Sequence, residues 1–310
     1  MDTPVATGQD RWVPVRGLRL HVRQWEEGRG TPFVLLHGLA SNCRTWEAVA
    51  RGLNAAGHPV VAVDQRGHGL SDKPEDGYGF DEVTADLLAL LDALALAEPP
   101  IVAGQSWGGN VALDFAARYP RAARGVVLVD GGLIELSAWP GASWERVERD
   151  LAPPDLTGTP REELRDRLRR AHPGWSEEGI EHTLANFETL PDGTVRPWLA
   201  RERHMAILRA LWEHRPSSLF GRVTAPTLVV LAENRDLLWN RQKRREAARA
   251  QAALARCRVH WFPDTDHDVH VHRPADLTAV IFDALRDGFF AGREPSANHR
   301  SQEEQPWTPS

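Results

Sequence analysis

The chain has 310 residues, of which 42% are hydrophobic and 26% charged, a composition typical of a folded globular protein that excludes a disordered chain. A formal net charge of -6 gives no basic surface for a phosphate backbone, so the sequence disfavours nucleic-acid binding. The only cysteines, Cys43 and Cys257, are too few for a small secreted domain held together by disulfides.

The N-terminus and the longest apolar runs indicate where in the cell the protein is expected. The first ten residues, MDTPVATGQD, have neither a basic start nor an apolar run. No stretch approaches the roughly 18 apolar residues that a membrane-spanning helix needs. We therefore expect a cytoplasmic protein that is not exported and has no membrane span. The sequence leaves the oligomeric state open.

Predicted strands and helices alternate along most of the chain. A hairpin is predicted over residues 12–25, with its turn at Gly17. Short apolar runs at 33–36, 59–63, 101–103, 126–129 and 227–231 are typical of buried parallel strands. Between the second and third run, one helical face carries Val83, Leu87, Leu90, Leu91 and Leu94. This alternation predicts a doubly wound, mostly parallel α/β sheet.

The alternation is interrupted between Gly131 and Val223. Helices are predicted there over residues 161–170, 177–190 and 198–215. The sequence thus predicts a core formed by residues 1–132 and 223–290, a helical cap over 133–222 and a polar tail over 291–310. Five of the 12 tryptophans lie in the cap, where they form either an apolar lid or the core of a small subdomain: Trp139, Trp144, Trp175, Trp198 and Trp212.

A Gly-x-Ser-x-Gly sequence, residues 104–108, lies between a predicted strand and a predicted helix. Gly104 and Gly108 allow a sharp turn in which neighbouring elements leave no room for a side chain, and the turn raises the serine hydroxyl above the sheet edge. We interpret Ser106 as a catalytic nucleophile. The alternative is a structural turn whose serine caps the helix.

A serine nucleophile needs a histidine base that is oriented by a carboxylate, and in this architecture the chain order is serine, acid, histidine. His267 lies in a loop after a predicted strand at 258–262 and is the candidate base. A final helix is predicted over 275–289. The same loop holds Asp264, Asp266, Asp268, His270 and His272, which could instead form a metal site. Because no second cluster completes a coordination set, we expect no metal there.

Three residues are candidates for the acid. Asp236 follows the strand at 227–231 and is favoured, because the carboxyl edge of the sheet would present it to the histidine. Asp130 ends the preceding strand and could reach the same place. Glu233 is the third candidate.

The oxyanion of an acyl-transfer reaction needs backbone donors. We expect these to be the amides of Trp107, directly after Ser106, and of Leu39, in the turn after the first parallel strand. His37, Trp139 and Trp212 are predicted to contact the substrate, although His37 could equally bond only to nearby backbone. Trp107 and the cap tryptophans favour an apolar or aromatic substrate.

Five blocks in this order resemble the α/β-hydrolase superfamily, over nearly the whole chain from about Trp12 to Phe290. The blocks are LLHGLASNCRTW, DQRGHGLSD, GQSWGG, APTLVVLAENRD and FPDTDHDVHVHRP. The resemblance implies the α/β-hydrolase fold, with Ser106 as nucleophile, His267 as base, Asp236 as acid and the Leu39 and Trp107 amides as oxyanion hole. The second block, residues 64–72, is implied to be a turn that braces the site.

The motifs predict a serine hydrolase that cleaves a carboxylic ester of a small, apolar molecule through an acyl-serine intermediate. Carbon–carbon bonds, lactones, thioesters and amides are alternatives on the same triad. A ligand receptor or scaffold on a hydrolase fold is the non-enzymatic alternative. We expect no cofactor, because the sequence has no nucleotide, haem or metal motif.

Overall fold

Eight strands form one sheet in the computed structural model, which describes residues 7–291. These strands are β1 (Gln9–Val15), β2 (Leu18–Trp25), β3 (Phe33–Leu36), β4 (Val60–Val63), β5 (Ile101–Gln105), β6 (Gly125–Val129), β9 (Thr227–Glu233) and β10 (Cys257–Pro263). The sheet order is β1-β2-β4-β3-β5-β6-β9-β10. β1 pairs with β2 and β2 with β4 in antiparallel register, and all other neighbours are parallel. The predicted hairpin and the α/β-hydrolase fold are therefore confirmed.

Ten α-helices accompany the strands within residues 7–291. They are α1 (Glu47–Ala55), α2 (Phe80–Leu94), α3 (Trp107–Arg118), α4 (Trp144–Leu151), α5 (Arg161–Ala171), α6 (Glu177–Leu184), α7 (Arg201–Glu213), α8 (Leu237–Ala253), α9 (Val269–His272) and α10 (Pro274–Arg286). The helix predicted on the pattern from Val83 to Leu94 is confirmed as α2. No helix of this part of the chain is both long and apolar enough to cross a membrane.

The central strands bury both of their faces. Alternate residues of β3 show this: Phe33 and Leu35 belong to one apolar cluster, and Val34 and Leu36 to the other. The first cluster also contains apolar side chains of α1 and α10, and the second contains those of α2, α3 and α8. Because the carboxyl ends of the parallel strands emerge at one edge between these two layers, loops from β3, β5, β6 and β10 can meet there.

The segment between β6 and β9 contains α4 to α7 and a small hairpin of β7 (Phe187–Thr189) and β8 (Val195–Pro197). The helix predicted over residues 177–190 is wrong in its second half, because α6 ends at Leu184 and a Pro-Asp-Gly turn, residues 191–193, connects two short strands. The cap boundaries at 133 and 222 stay a prediction. Residues 292–310 of the predicted tail lie outside the described residues.

Candidate active site

Ser106 lies between β5 and α3 in a backbone conformation that L-residues seldom adopt, with φ 53° and ψ -122°. Hydrogen bonds to β6 and to α3 fix this turn. The Ser106 amide donates to Val129 O at 3.0 Å, and Ser106 O accepts from the amides of Gly109 and Asn110. The strain at Ser106 is thus maintained by hydrogen bonds to β6 and to the first turn of α3.

The two glycines of the motif are needed because backbone atoms lie where a Cβ would be. A Cβ on Gly104 would lie 2.1 Å from Gly108 O, and one on Gly108 would lie 2.4 Å from His37 O. No side chain can be accommodated at such distances without moving backbone. The predicted reason for these glycines is confirmed.

His267 is bonded to Asp130. Its Nδ1 donates to Asp130 Oδ2 at 2.6 Å, which leaves Nε2 free to face a substrate. Asp130 directly follows β6 with a positive φ of 42°, and its own amide donates to Val230 O at 2.7 Å. This turn directs the carboxylate across the ends of β6 and β9 towards the loop that carries His267.

Asp236 does not lie beside His267, so its predicted position is wrong. Its carboxylate caps α8 and accepts from the amides of Leu238 and Trp239 at 3.0 Å each, and the residue is exposed. An aspartate at a helix N-cap is held by these otherwise unpaired amides. Glu233, the third candidate, pairs with Arg244 at 2.5 Å instead.

The pair of Asp130 and His267 shifts both pKa values. Burial alone would raise the pKa of Asp130, but the hydrogen bonds and positive charges of His267 and Lys243 outweigh it and lower the pKa. Burial would likewise lower the pKa of His267, and the hydrogen bond and charge of Asp130 raise it overall. Asp130 therefore stays ionised, and the His267 ring loses its proton only above the ordinary histidine pKa.

Ser106 and His267 line one cavity of about 160 Å³, which also borders on Leu39, Trp175 and Asp268. Within the described residues Ser106 Oγ makes no hydrogen bond, so its hydroxyl is available to the cavity that it shares with His267. A second cavity of about 490 Å³ shares Ala40, Ser41 and Asn186 with the first, so the two adjoin.

The model of the Alpha/beta hydrolase family matches residues 33–280 of the chain. The chain belongs to this family. The match extends from β3 into α10 and so includes Ser106, Asp130 and His267.

Relatives of the chain in this family are named for several different activities. A 2-(acetamidomethylene)succinate hydrolase of Mesorhizobium japonicum is 38% identical over 120 residues, which are 39% of this chain and 42% of the relative. Epoxide hydrolase B of Mycobacterium tuberculosis is 37% identical over 121 residues, 38% of this chain and 34% of the relative. These alignments therefore cover less than half of either protein.

A solved structure of E-2-(acetamidomethylene)succinate hydrolase aligns more extensively. The alignment covers 90% of this chain and 99% of the chain in that structure, with 26% identity and a TM-score of 0.75. A thioesterase domain from the curacin biosynthetic pathway aligns with a TM-score of 0.71 at 20% identity, and this likeness shows the fold alone.

Three residues are predicted from the sequence to contact a substrate, and within the described residues none of them lines either cavity: His37, Trp139 and Trp212. His37 is fully buried, donates from Nδ1 to Gly38 O and accepts at Nε2 from the Gln65 amide, so it bonds to nearby backbone only. Trp139 donates to Glu246 and packs on Trp239, and it lines a small void with Asp130.

Trp212 packs near Trp144 against the core, and within residues 7–291 it borders neither cavity. The side chain of Trp107 is also buried, where it stacks on His68. Of the cap tryptophans, Trp175 borders the smaller cavity and Trp198 the larger one. Whether a tryptophan of this segment lines a cavity or packs in the core depends on how its helices pack. Hydrophobic periodicity in the sequence does not predict that packing.

The segment that contains α4 to α7 is fastened to the core beside the His267 loop. Trp175 Nε1 and His172 Nδ1 both donate to Asp266 Oδ2, at 3.0 and 3.2 Å. On the other side of the cavity, Asn42 Nδ2 donates to His182 O at 2.9 Å. These bonds place α6 and the loop before it over Ser106.

One group of the described residues has a spacing that could hold a metal ion: His21, Cys43 and Asp64, whose ligand atoms lie within 4.8 Å of one another. Asp64 already accepts hydrogen bonds from His21 Nδ1 and from the amides of Cys43 and Leu70. Burial raises the pKa of the Cys43 thiol well above its ordinary value, which disfavours the thiolate that a metal requires. These residues fit a structural network, in which Asp64 ties β2 to the loops that brace the site.

Proposed function

We propose that the chain is a serine carboxylesterase with Ser106, His267 and Asp130 as its triad. The observation that carries the proposal is the bond of 2.6 Å between His267 Nδ1 and Asp130 Oδ2 at the edge of a cavity that Ser106 also lines. A nucleophile, a base and a carboxylate that orients the base are the components that acyl transfer needs.

In the proposed reaction Ser106 Oγ attacks the ester carbonyl while His267 Nε2 takes its proton. Asp130 stabilises the imidazolium that forms. The backbone amides of Leu39 and Trp107 stabilise the oxyanion, since Leu39 borders the cavity and the Trp107 amide opens α3, where helix N–H groups have no partner within the helix. His267 then protonates the leaving alcohol, and a water that it activates hydrolyses the acyl-Ser106 bond.

The larger cavity indicates which part of a substrate lies beneath α4 to α7. Its walls include Leu156, Phe187, Trp198 and Leu199, and apolar surface predominates. An apolar substituent of the ester, bound there, would be removed from water by these side chains. We therefore propose substrates with an apolar group several carbons from the scissile carbonyl.

A test with simple substrates separates ester from amide hydrolysis. We expect the wild type to hydrolyse p-nitrophenyl acetate and butyrate, with a higher kcat/KM for butyrate, and to hydrolyse the matched p-nitroanilides at least about 100-fold more slowly because the amine is a poorer leaving group. Release of the chromophore is followed optically. A preference for the anilides would favour amide hydrolysis, the second candidate, which the acetamido group in the name of the aligned hydrolase supports.

The charge at the smaller cavity predicts a preference against anionic substrates. No lysine or arginine is among the described residues that line it, whereas Asp268 is. We expect 4-acetylphenyl butyrate to have about a tenfold higher kcat/KM than 4-butyryloxybenzoate at low salt, because a carboxylate on the substrate is repelled. The rates are measured in a pH-stat at pH 8.

The control for this preference is Asp268→Asn, which should bring the two rates together, as should high salt. Comparing two substrates in one variant cancels any general loss of activity. An unchanged ratio in Asp268→Asn would show that Asp268 does not set the preference.

A further inference from the structure

Lys243 is a buried lysine on α8 that belongs to none of the sequence motifs described above. The sequence has only two lysines against 35 arginines, and the positions around Lys243 on α8 are rich in arginine. The side chain of Lys243 is only 7% exposed. Burying an ammonium group is costly unless every N–H and the charge are compensated, so its surroundings require an explanation.

All three donors of Lys243 are engaged by groups at the triad. Its Nζ lies 2.7 Å from both Oδ1 and Oδ2 of Asp130 and 2.8 Å from Ala232 O. Asp130 Oδ1 also accepts from the Ala232 amide at 3.0 Å. The carboxylate that orients His267 is therefore fixed by Lys243 and by the end of β9, and it cannot rotate without breaking several bonds.

The positive charge of Lys243 also affects whether His267 is protonated. Asp130 has no exposed side-chain surface, so its negative charge needs a nearby cation. Without Lys243, that cation would have to be protonated His267, which cannot act as a base. With Lys243 in place, Asp130 is compensated while His267 is neutral.

We propose that Lys243 is a positioning residue of the active site, which fixes the Asp130 carboxylate against His267 and keeps His267 neutral at the pH of catalysis. The inference rests on the proposed triad. The positive charge of Lys243 acts to lower the pKa of His267, opposite to the effect of Asp130.

Other charged and titratable groups also face this pair. Asp268 raises the pKa of His267, and His270 on α9 is a neutral histidine nearby whose pKa burial lowers to about 3. Glu246 lies one turn after Lys243 and lines a small void together with Lys243 and Asp130. Its pKa is raised to about 7, mainly by burial. Because all of these remain in a Lys243 variant, a shift in the pKa of His267 reports the loss of Lys243 itself.

The test compares Lys243→Met with wild type across pH. Since His267 must be neutral, kcat/KM rises with pH through the pKa of His267. We expect this acid limb to move up by about one pH unit in Lys243→Met. Through this shift kcat/KM should fall several-fold, by up to about tenfold, at pH 7 and clearly less at pH 9. NMR titration of the His267 ring should show the same upward shift independently of any activity.

Two further variants control for the fold. Arg244→Met removes an exposed cation from the adjacent position of α8 and should leave the acid limb unchanged. Lys243→Gln retains an amide donor for Asp130 without the charge, and it replaces Lys243→Met if the latter does not fold. A loss of activity that is equal at pH 7 and pH 9, with an unshifted His267 titration, would reduce Lys243 to a structural role and overturn the proposal. If the wild type hydrolyses no ester, the proposed function fails, while the NMR titration still decides on Lys243.

Discussion

Ser106→Ala is expected to lose hydrolysis of p-nitrophenyl butyrate by about 10⁴- to 10⁶-fold in kcat while retaining its fold. The removed Oγ is the atom that would form the acyl bond. Alanine keeps the Cβ, so the backbone at φ 53° is no more strained than with serine. Within residues 7–291 Oγ makes no hydrogen bond that supports the fold, so thermal unfolding should be nearly unchanged.

The matched control for this variant is Ser218→Ala. Ser218 is an exposed serine whose Oγ donates to Arg215 O at 2.7 Å, remote from both cavities, so the wild-type rate should remain. A fluorophosphonate should label the wild type on the peptide that contains Ser106 and should not label Ser106→Ala. Labelling at a different serine, or a fully active Ser106→Ala, would contradict the assignment of the nucleophile.

Local features of the site could be read from the sequence because their causes are local. The turn at Ser106 depends on Gly104 and Gly108, which lie within two residues of it, and on the strand and helix at its sides. His267 likewise lies in a polar loop directly after an apolar strand. For Ser106 the residues that set the geometry are near neighbours in the chain, and for His267 the neighbouring strand and loop indicate the position of the residue.

The partner of His267 could not be decided in the same way. Asp130 and Asp236 follow β6 and β9, two adjacent parallel strands whose ends emerge at the same edge of the sheet. The choice depends on a positive φ at Asp130 and on helix amides that hold the Asp236 carboxylate. Lys243 lies 113 positions from Asp130 in the chain, and only the packing of α8 brings them together.

Asp130→Asn should lower kcat by about 10³- to 10⁴-fold, whereas Asp236→Asn should change it less than twofold. Asparagine has nearly the shape of aspartate and tolerates a positive φ, so the turn after β6 can persist. It carries no charge, however, and cannot stabilise the imidazolium of His267. At position 236 asparagine caps a helix as well as aspartate does, so neither the fold nor the rate should suffer.

Stability distinguishes the two variants independently of activity. Asp130→Asn leaves the buried ammonium of Lys243 without a counter-ion, and the removal of one partner of a buried ion pair typically costs about 3 to 5 kcal/mol. The midpoint of thermal unfolding should therefore fall in Asp130→Asn and remain unchanged in Asp236→Asn. Adding Lys243→Met to Asp130→Asn should restore part of this stability without restoring activity, because the double variant has neither the unpaired cation nor the carboxylate. If Asp236→Asn were the inactive variant, the bond between His267 and Asp130 would have no catalytic role, and the acid would come from the loop after β9.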